Sequence, residues 1–89
     1  MIEITDVNIK PLDNDHSKVI GLASIIISGS FEVHDLRIVD ADRGRFVAMP
    51  SKKAKDGGFM DIAHPLDLET REYITKTVLE EYDKKVKEK

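Results

Sequence analysis

The chain has no cysteine, no tryptophan, only three prolines and five glycines, and no long apolar run. Each shortage removes a class of answer. Without cysteine there is neither a disulfide nor a thiolate metal site. Without about 18 consecutive apolar residues there is no membrane-spanning helix. The opening residues, Ile2-Glu3-Ile4-Thr5-Asp6, carry neither the basic nor the apolar region of a signal peptide. A cytoplasmic protein with no membrane partner is expected. Glycine-rich phosphate loops, nucleophile motifs and metal-ligand spacings are missing too. The three histidines, His16, His34 and His64, fall in separate elements. His34 and Asp35 are adjacent, so on a regular strand they would point to opposite faces. Asp61 and His64 pair only on paper. The expectation is a non-enzymatic protein with no cofactor and no small-molecule substrate.

What is present is charge, unevenly placed. The 89 residues form one domain, 1–89, with a net charge of −3. Residues 41–56 hold Arg43, Arg45, Lys52, Lys53 and Lys55 against Asp42 and Asp56, a local balance of +3 that leaves −6 for the rest. A basic spot on an acidic body can steer a polyanion to one face. Lysines beside a strand edge also guard it against aggregation. Both readings stand on charge alone.

The first two-thirds reads as short strands within 2–63. Residues 2–10 alternate with a slip: Ile2 and Ile4 share one face, Val7 and Ile9 the other. A bulge near Thr5-Asp6 would bring all four together. Pro11 ends the ladder for want of a donor, and Asp13-Asn14-Asp15 marks a turn. Residues 18–28 are apolar on both faces, as in a central strand or one buried at an interface. Ser28-Gly29-Ser30 reverses the chain. Residues 31–39 slip in phase at His34-Asp35, where a second bulge is expected. After a turn at 40–44, residues 45–49 form a strand. Residues 59–63 form a short last one, able to pair with 45–49 across the loop 52–58.

The last third reads as a helix over about 68–87. Asp67 is a suitable N-cap. Glu69 and Glu72 suit the helix's positive end, and Lys84, Lys85 and Lys87 its negative end. Glu72–Lys76, Glu80–Lys84 and Glu81–Lys85 are spaced for i,i+4 pairing. Ile74, Val78, Leu79, Tyr82 and Val86 form a stripe to lie on the sheet. Arg71 continues that stripe, its stem covering the core edge or its guanidinium joining an anion site at the rim. Phe31, Phe46, Phe59 and Tyr82 are assigned to the core, and Tyr73, off the stripe, is the one aromatic left free for stacking. The fold class is α+β: a twisted antiparallel sheet of about five short strands with one C-terminal helix packed on it.

One helix leaves part of such a sheet uncovered, and strand 18–28 is the candidate for burial by a twin. A two-fold dimer through the sheet places two basic loops on one particle, and two linked weak patches bind far better than one.

Several segments together resemble the SpoVG family of bacterial sporulation and septation regulators. They are Glu3-Ile4-Thr5-Asp6-Val7, Phe31-Glu32-Val33-His34-Asp35-Leu36-Arg37-Ile38-Val39-Asp40 and Gly44-Arg45-Phe46-Val47-Ala48-Met49-Pro50-Ser51-Lys52-Lys53. Asp56-Gly57-Gly58-Phe59-Met60-Asp61-Ile62-Ala63-His64-Pro65-Leu66, Thr70-Arg71 and Val78-Leu79-Glu80-Glu81-Tyr82 complete the match. The resemblance covers nearly the whole chain. It implies a dimeric, non-enzymatic regulator that binds DNA, and RNA in some members, in gene-expression, cell-division or sporulation programmes. It points to Lys52 and Lys53 as nucleic-acid contacts, with Arg71 beside the helix. With Lys55, Arg43 and Arg45 from the charge map, these six residues are the candidate site. Met60 is a departure, since relatives often carry a basic residue there. The alternative is a protein-interaction module of the division machinery, with nucleic-acid binding incidental.

Overall fold

A computed structural model describes residues 2–12 and 18–87. The turn expected at Asp13-Asn14-Asp15, together with His16, lies outside them. Among the described residues six strands precede one helix: β1 (Ile4–Pro11), β2 (Val19–Ile27), β3 (Phe31–Ala41), β4 (Gly44–Ala48), β5 (Ser51–Lys53), β6 (Phe59–Asp61) and α1 (Leu68–Lys87). The first four form an antiparallel meander in the order β1-β2-β3-β4, and β5 and β6 form a separate two-stranded arm. The class is α+β, as the sequence predicts.

Both expected bulges are present. Ile4 faces Ile27 while Asp6 faces Ile26, so Thr5 is the extra residue and the apolar face continues through Val7 and Ile9. On β3, Leu36 faces Ala23 but Val33 faces Ile25, which inserts one residue at His34-Asp35. Asp35 takes φ +66° there, a region its short polar side chain tolerates better than most. A third bulge was not foreseen. Val19 faces Val39 and Gly21 faces Ile38, leaving Ile20 unpaired and turned toward the helix beside Tyr82. The β2–β3 reversal places Ser28 at φ +53° and Gly29 at φ +68°, with Ser30 N–H donating to the Ile27 carbonyl at 3.1 Å. That is the type I′ pattern, whose twist matches the strands it joins.

One strand pairing differs from expectation. Residues 45–49 and 59–63 do not form a hairpin. β4 pairs with β3, and β6 pairs with a strand read from sequence as loop, β5. Met49 and Pro50 are buried between β4 and β5. Pro50 has no N–H to continue a ladder, and its carbonyl instead accepts from Ile62 N–H at 2.8 Å. The chain therefore leaves the main sheet at Pro50 and returns as an independent arm.

The core joins Ala23, Ile25, Leu36, Ile38, Val47 and Met49 of the sheet side to Ile74 and Val78 of α1; Leu36, Ile38 and Val78 are fully buried. Gly21 matters because a Cβ there would stand 3.2 Å from the Tyr82 ring. The bare backbone lets that ring close the core. Asp67 caps α1, its carboxylate accepting from Thr70 N–H at 2.7 Å. Tyr73 is not free, which corrects the sequence reading. Its hydroxyl accepts from Ile4 N–H at 2.8 Å and ties the helix to the free edge of β1. Lys84 pairs with Glu81 at 3.4 Å, an i,i+3 contact, rather than with Glu80.

Candidate nucleic-acid interface

The six candidate cations do not form one patch. Lys52 and Lys53 lie on β5 and Lys55 in the turn that follows, all three exposed. Among the described residues none of the three enters an ion pair. The turn is held by its own backbone: Ala54 N–H donates to the Gly58 carbonyl at 2.7 Å and Gly57 N–H to the Ala54 carbonyl at 3.1 Å. Asp56 accepts from Gly58 N–H at 3.0 Å. Gly57 takes φ +92°, a conformation that favours glycine. Asp56 is thus occupied in shaping the turn, and among the described residues it makes no ion pair with the lysines beside it.

Register assigns the arm two faces. Lys52 faces Met60 and Lys53 faces Phe59, and directly opposed residues share a face. Lys53 and the exposed Phe59 therefore stand together. Lys52 and Met60 stand on the other side, in line with Pro50 and Ile62. Had position 60 been basic, a second cation would stand directly across from Lys52.

Arg43 and Arg45 are elsewhere. They flank the β3–β4 turn, at the far end of β4 from Pro50. Arg45 donates to Asp83 of α1 at 2.9 Å, and its guanidinium lies 5.7 Å from the centre of the Tyr82 ring. It is committed to fastening the last turns of the helix. Lys18 is 4.0 Å from Asp42 and shares the hollow beside Arg43. Arg71, in line with the apolar stripe in sequence, is exposed near the start of α1. It is separated from Asp83 by 12 residues, about 18 Å of helix. Lys52, Lys53, Lys55 and Arg71 thus belong to the Pro50 end of the domain, Arg43 and Arg45 to the opposite end.

Sequence reasoning missed the exposed aromatics. Phe59 is 73% exposed and Phe31 65%, although both were assigned to the core. The available signal was position: Phe59 follows Gly57-Gly58 and Phe31 follows the tight turn, each at a strand's first residue. The acid–base pairs imagined on paper are spent locally. His34 Nε2 is 3.3 Å from Glu32, and His64 Nδ1 donates to the Pro65 carbonyl at 3.0 Å, fixing the turn into α1. Among the described residues no group of three or more His, Asp or Glu is placed to hold a metal, and no helix is long and apolar enough to cross a membrane.

Hydrogen bonds from the Thr70 side chain and backbone hold the Asp67 carboxyl below its ordinary value, consistent with a cap that is charged in the folded state.

Comparison with known proteins gives a coherent answer. The model of the SpoVG family matches residues 2–84. SpoVG of Brevibacillus brevis is 48% identical over 83 residues, 93% of this chain and 86% of that protein. SpoVG of Clostridium perfringens is 43% identical over 83 residues, 93% and 91% of the two chains. SpoVG of Macrococcus caseolyticus is 46% identical over 82 residues, covering 92% of this chain and 70% of that one.

Proposed function

The chain belongs to the SpoVG family, and on that premise we propose that it is a dimeric, cytoplasmic regulator that grips nucleic acid through the β5–β6 arm. The observation that carries this reading is the arm itself. Three exposed lysines, free of ion pairs among the described residues, stand on a projection from a body whose remaining charge is negative. Such a distribution orients a polyanion before contact. Lys52, Lys53 and Lys55 hold phosphate, which supplies affinity without sequence choice. Phe59, beside Lys53, offers a ring on which an unpaired base can stack. Arg71 adds a further cation at the same end of the domain. Arg43 flanks the opposite end, and Arg45 serves the fold.

Relatives are named as septation proteins; the same cellular role, through control of gene expression in division or sporulation, is proposed for this chain. Titrating labelled duplex DNA and single-stranded RNA at several salt concentrations tests the reading. Affinity should fall steeply with salt in at least one series. Absence of binding to both at low salt refutes it and favours a module that acts through protein partners.

A further inference from the structure

Helix α1 covers one face of the main sheet and leaves the other open. Ala23, Leu36, Ile38, Val47 and Met49 meet α1 in the core, so their strand neighbours Leu22, Arg37, Phe46 and Ala48 stand on the open face. Register joins three of these into one row. Lys10 is opposite Leu22, Leu22 opposite Arg37 and Arg37 opposite Ala48, and directly opposed residues share a face. The row therefore crosses the whole sheet, with one cation on β1 and another on β3, two strand spacings or about 9.6 Å apart. Phe46 stands in the next row, opposite Val39. It is 47% exposed and diagonal to Arg37, within reach of a long side chain.

Among the described residues neither Lys10 nor Arg37 enters an ion pair. Arg37 Nη2 donates to Ser51 Oγ at 3.1 Å, one hydrogen bond from a guanidinium that can donate several. That bond also shows how the arm joins the sheet. Ser51 and Lys53 are two residues apart and share a face of β5, with Phe59 opposite Lys53. The arm face bearing Lys53 and Phe59 is thus continuous with the open face of the sheet. The acids on this side flank the row rather than interrupt it. Asp6 and Glu32 share the row of Ile26, about 13 Å from Leu22 along β2, and Glu32 is 3.3 Å from His34. Asp35 borders the hollow beside Lys10, and Asp61 lies opposite Ser51.

We propose that the open face of the main sheet is a platform for unpaired nucleic acid, which runs from Lys53 and Phe59 of the arm over Arg37 and Phe46. The proposal rests on the phosphate reading of the arm given above and extends it to a second surface. The mixture of side chains decides the class of ligand. Lys53 and Arg37 meet phosphate. Phe46, Leu22 and Val39 offer phosphate nothing, but they give exposed bases a flat apolar surface. A duplex keeps its bases stacked inside and is stiff over about 150 base pairs. It rests on the exposed arm lysines and stands clear of the half-buried Arg37. A single strand bends to reach it.

Anisotropy titrations with a labelled single-stranded RNA of about 12 nucleotides, and with a labelled duplex, test this on the full-length protein. Phe46→Leu keeps an apolar side chain and removes the ring. It should weaken RNA binding about fivefold or more and leave duplex binding unchanged; unchanged RNA binding overturns the platform. Arg37→Ala should reduce the single-strand salt slope by about 0.7 for each copy engaged. Ser51→Ala breaks the same hydrogen bond but keeps the guanidinium, so its slope should equal the parent's. A Ser51→Ala slope reduced as far as that of Arg37→Ala overturns direct contact, since Arg37 then acts by holding the arm. Cross-linking gives a readout that needs no variant. RNA carrying 5-iodouracil, irradiated on the parent protein, should label Phe46 as well as Phe59. Adducts confined to the arm, as a face covered by a second copy or by a protein partner would give, overturn the platform while the arm reading stands. A parent protein that binds neither RNA nor duplex at low salt overturns both.

Discussion

Replacing Lys52 and Lys53 by alanine should change how binding depends on salt more than it changes anything about the fold. Both side chains are exposed and enter no ion pair among the described residues, so the variant should unfold at the parent's temperature. Binding is another matter. On the proposed dimeric reading, three arm lysines on each of two copies give six phosphate contacts. Each contact contributes about −0.9 to the slope of log affinity against log salt on duplex DNA, so the parent slope should be about −5.4. A fourfold rise in salt then costs the parent about 2,000-fold in affinity. The double variant keeps Lys55 on each copy, a slope of about −1.8 and a loss of about tenfold over the same range. If only one copy engages, the parent slope drops to about −2.7, so one titration reports both contact number and copy number. Fluorescence anisotropy with a labelled duplex at four or five salt concentrations is sufficient. A double variant whose slope equals the parent's would refute the arm as the phosphate site, whatever its affinity at any single salt concentration.

Other consequences follow from individual residues. Arg45→Ala should lower stability by about 1 kcal/mol or less, as expected for an exposed ion pair with a cation–π contact, and leave the salt slope of binding unchanged in the same titration. Phe59→Ala should weaken single-stranded binding by about 1–3 kcal/mol per stacked base with little effect on duplex, read by parallel titrations. Leu36→Ala, at a fully buried site, should cost about 2–5 kcal/mol in urea unfolding, whereas Leu66→Ala, at a site 92% exposed, should change stability by less than about 0.5 kcal/mol. Asp67 has a lowered folded-state pKa, so its stabilising contribution is present above the ordinary carboxylate range and lost as pH falls through the lowered value. Asp67→Asn, which still caps the helix, should flatten the acid side of the stability profile in thermal melts followed by circular dichroism.

The fold was readable wherever side-chain alternation carried phase information. The bulges at Thr5 and at His34-Asp35 showed because apolar residues changed face on either side of them. The bulge at Ile20 left no such mark, because the run Val19–Ile27 is apolar on both faces and has no phase to lose. The helix limits were legible from Asp67 and the closing lysines, which are local signals. β5 was not, since Ser51-Lys52-Lys53 contains no apolar residue to alternate. The partner of 59–63 was misassigned for a related reason. Pairing is set by how the chain turns at Pro50, and nothing in the composition of either strand reports that turn. The candidate site divides the same way. Lys52, Lys53 and Lys55 are neighbours in sequence and stay neighbours in space. Arg45 is claimed by Asp83, 38 residues away, a tertiary pairing invisible to a local charge count. Tyr73 appeared off the helix's apolar stripe because the stripe was drawn toward the core, whereas its hydroxyl reaches the edge strand β1.

The placement of charge and the placement of apolar surface constrain each other. An arm that contacts a duplex must project from the acidic body, since a duplex held against that body meets repulsion instead of lysine. A projecting two-stranded arm, however, forfeits the packing that would hold it in one orientation, and cations on a wandering support lose part of their binding energy to ordering. On the proposed dimeric reading a second copy doubles the number of lysines on the particle, and a salt slope near about −5.4 rather than about −2.7 is the result that shows both arms engaged at once.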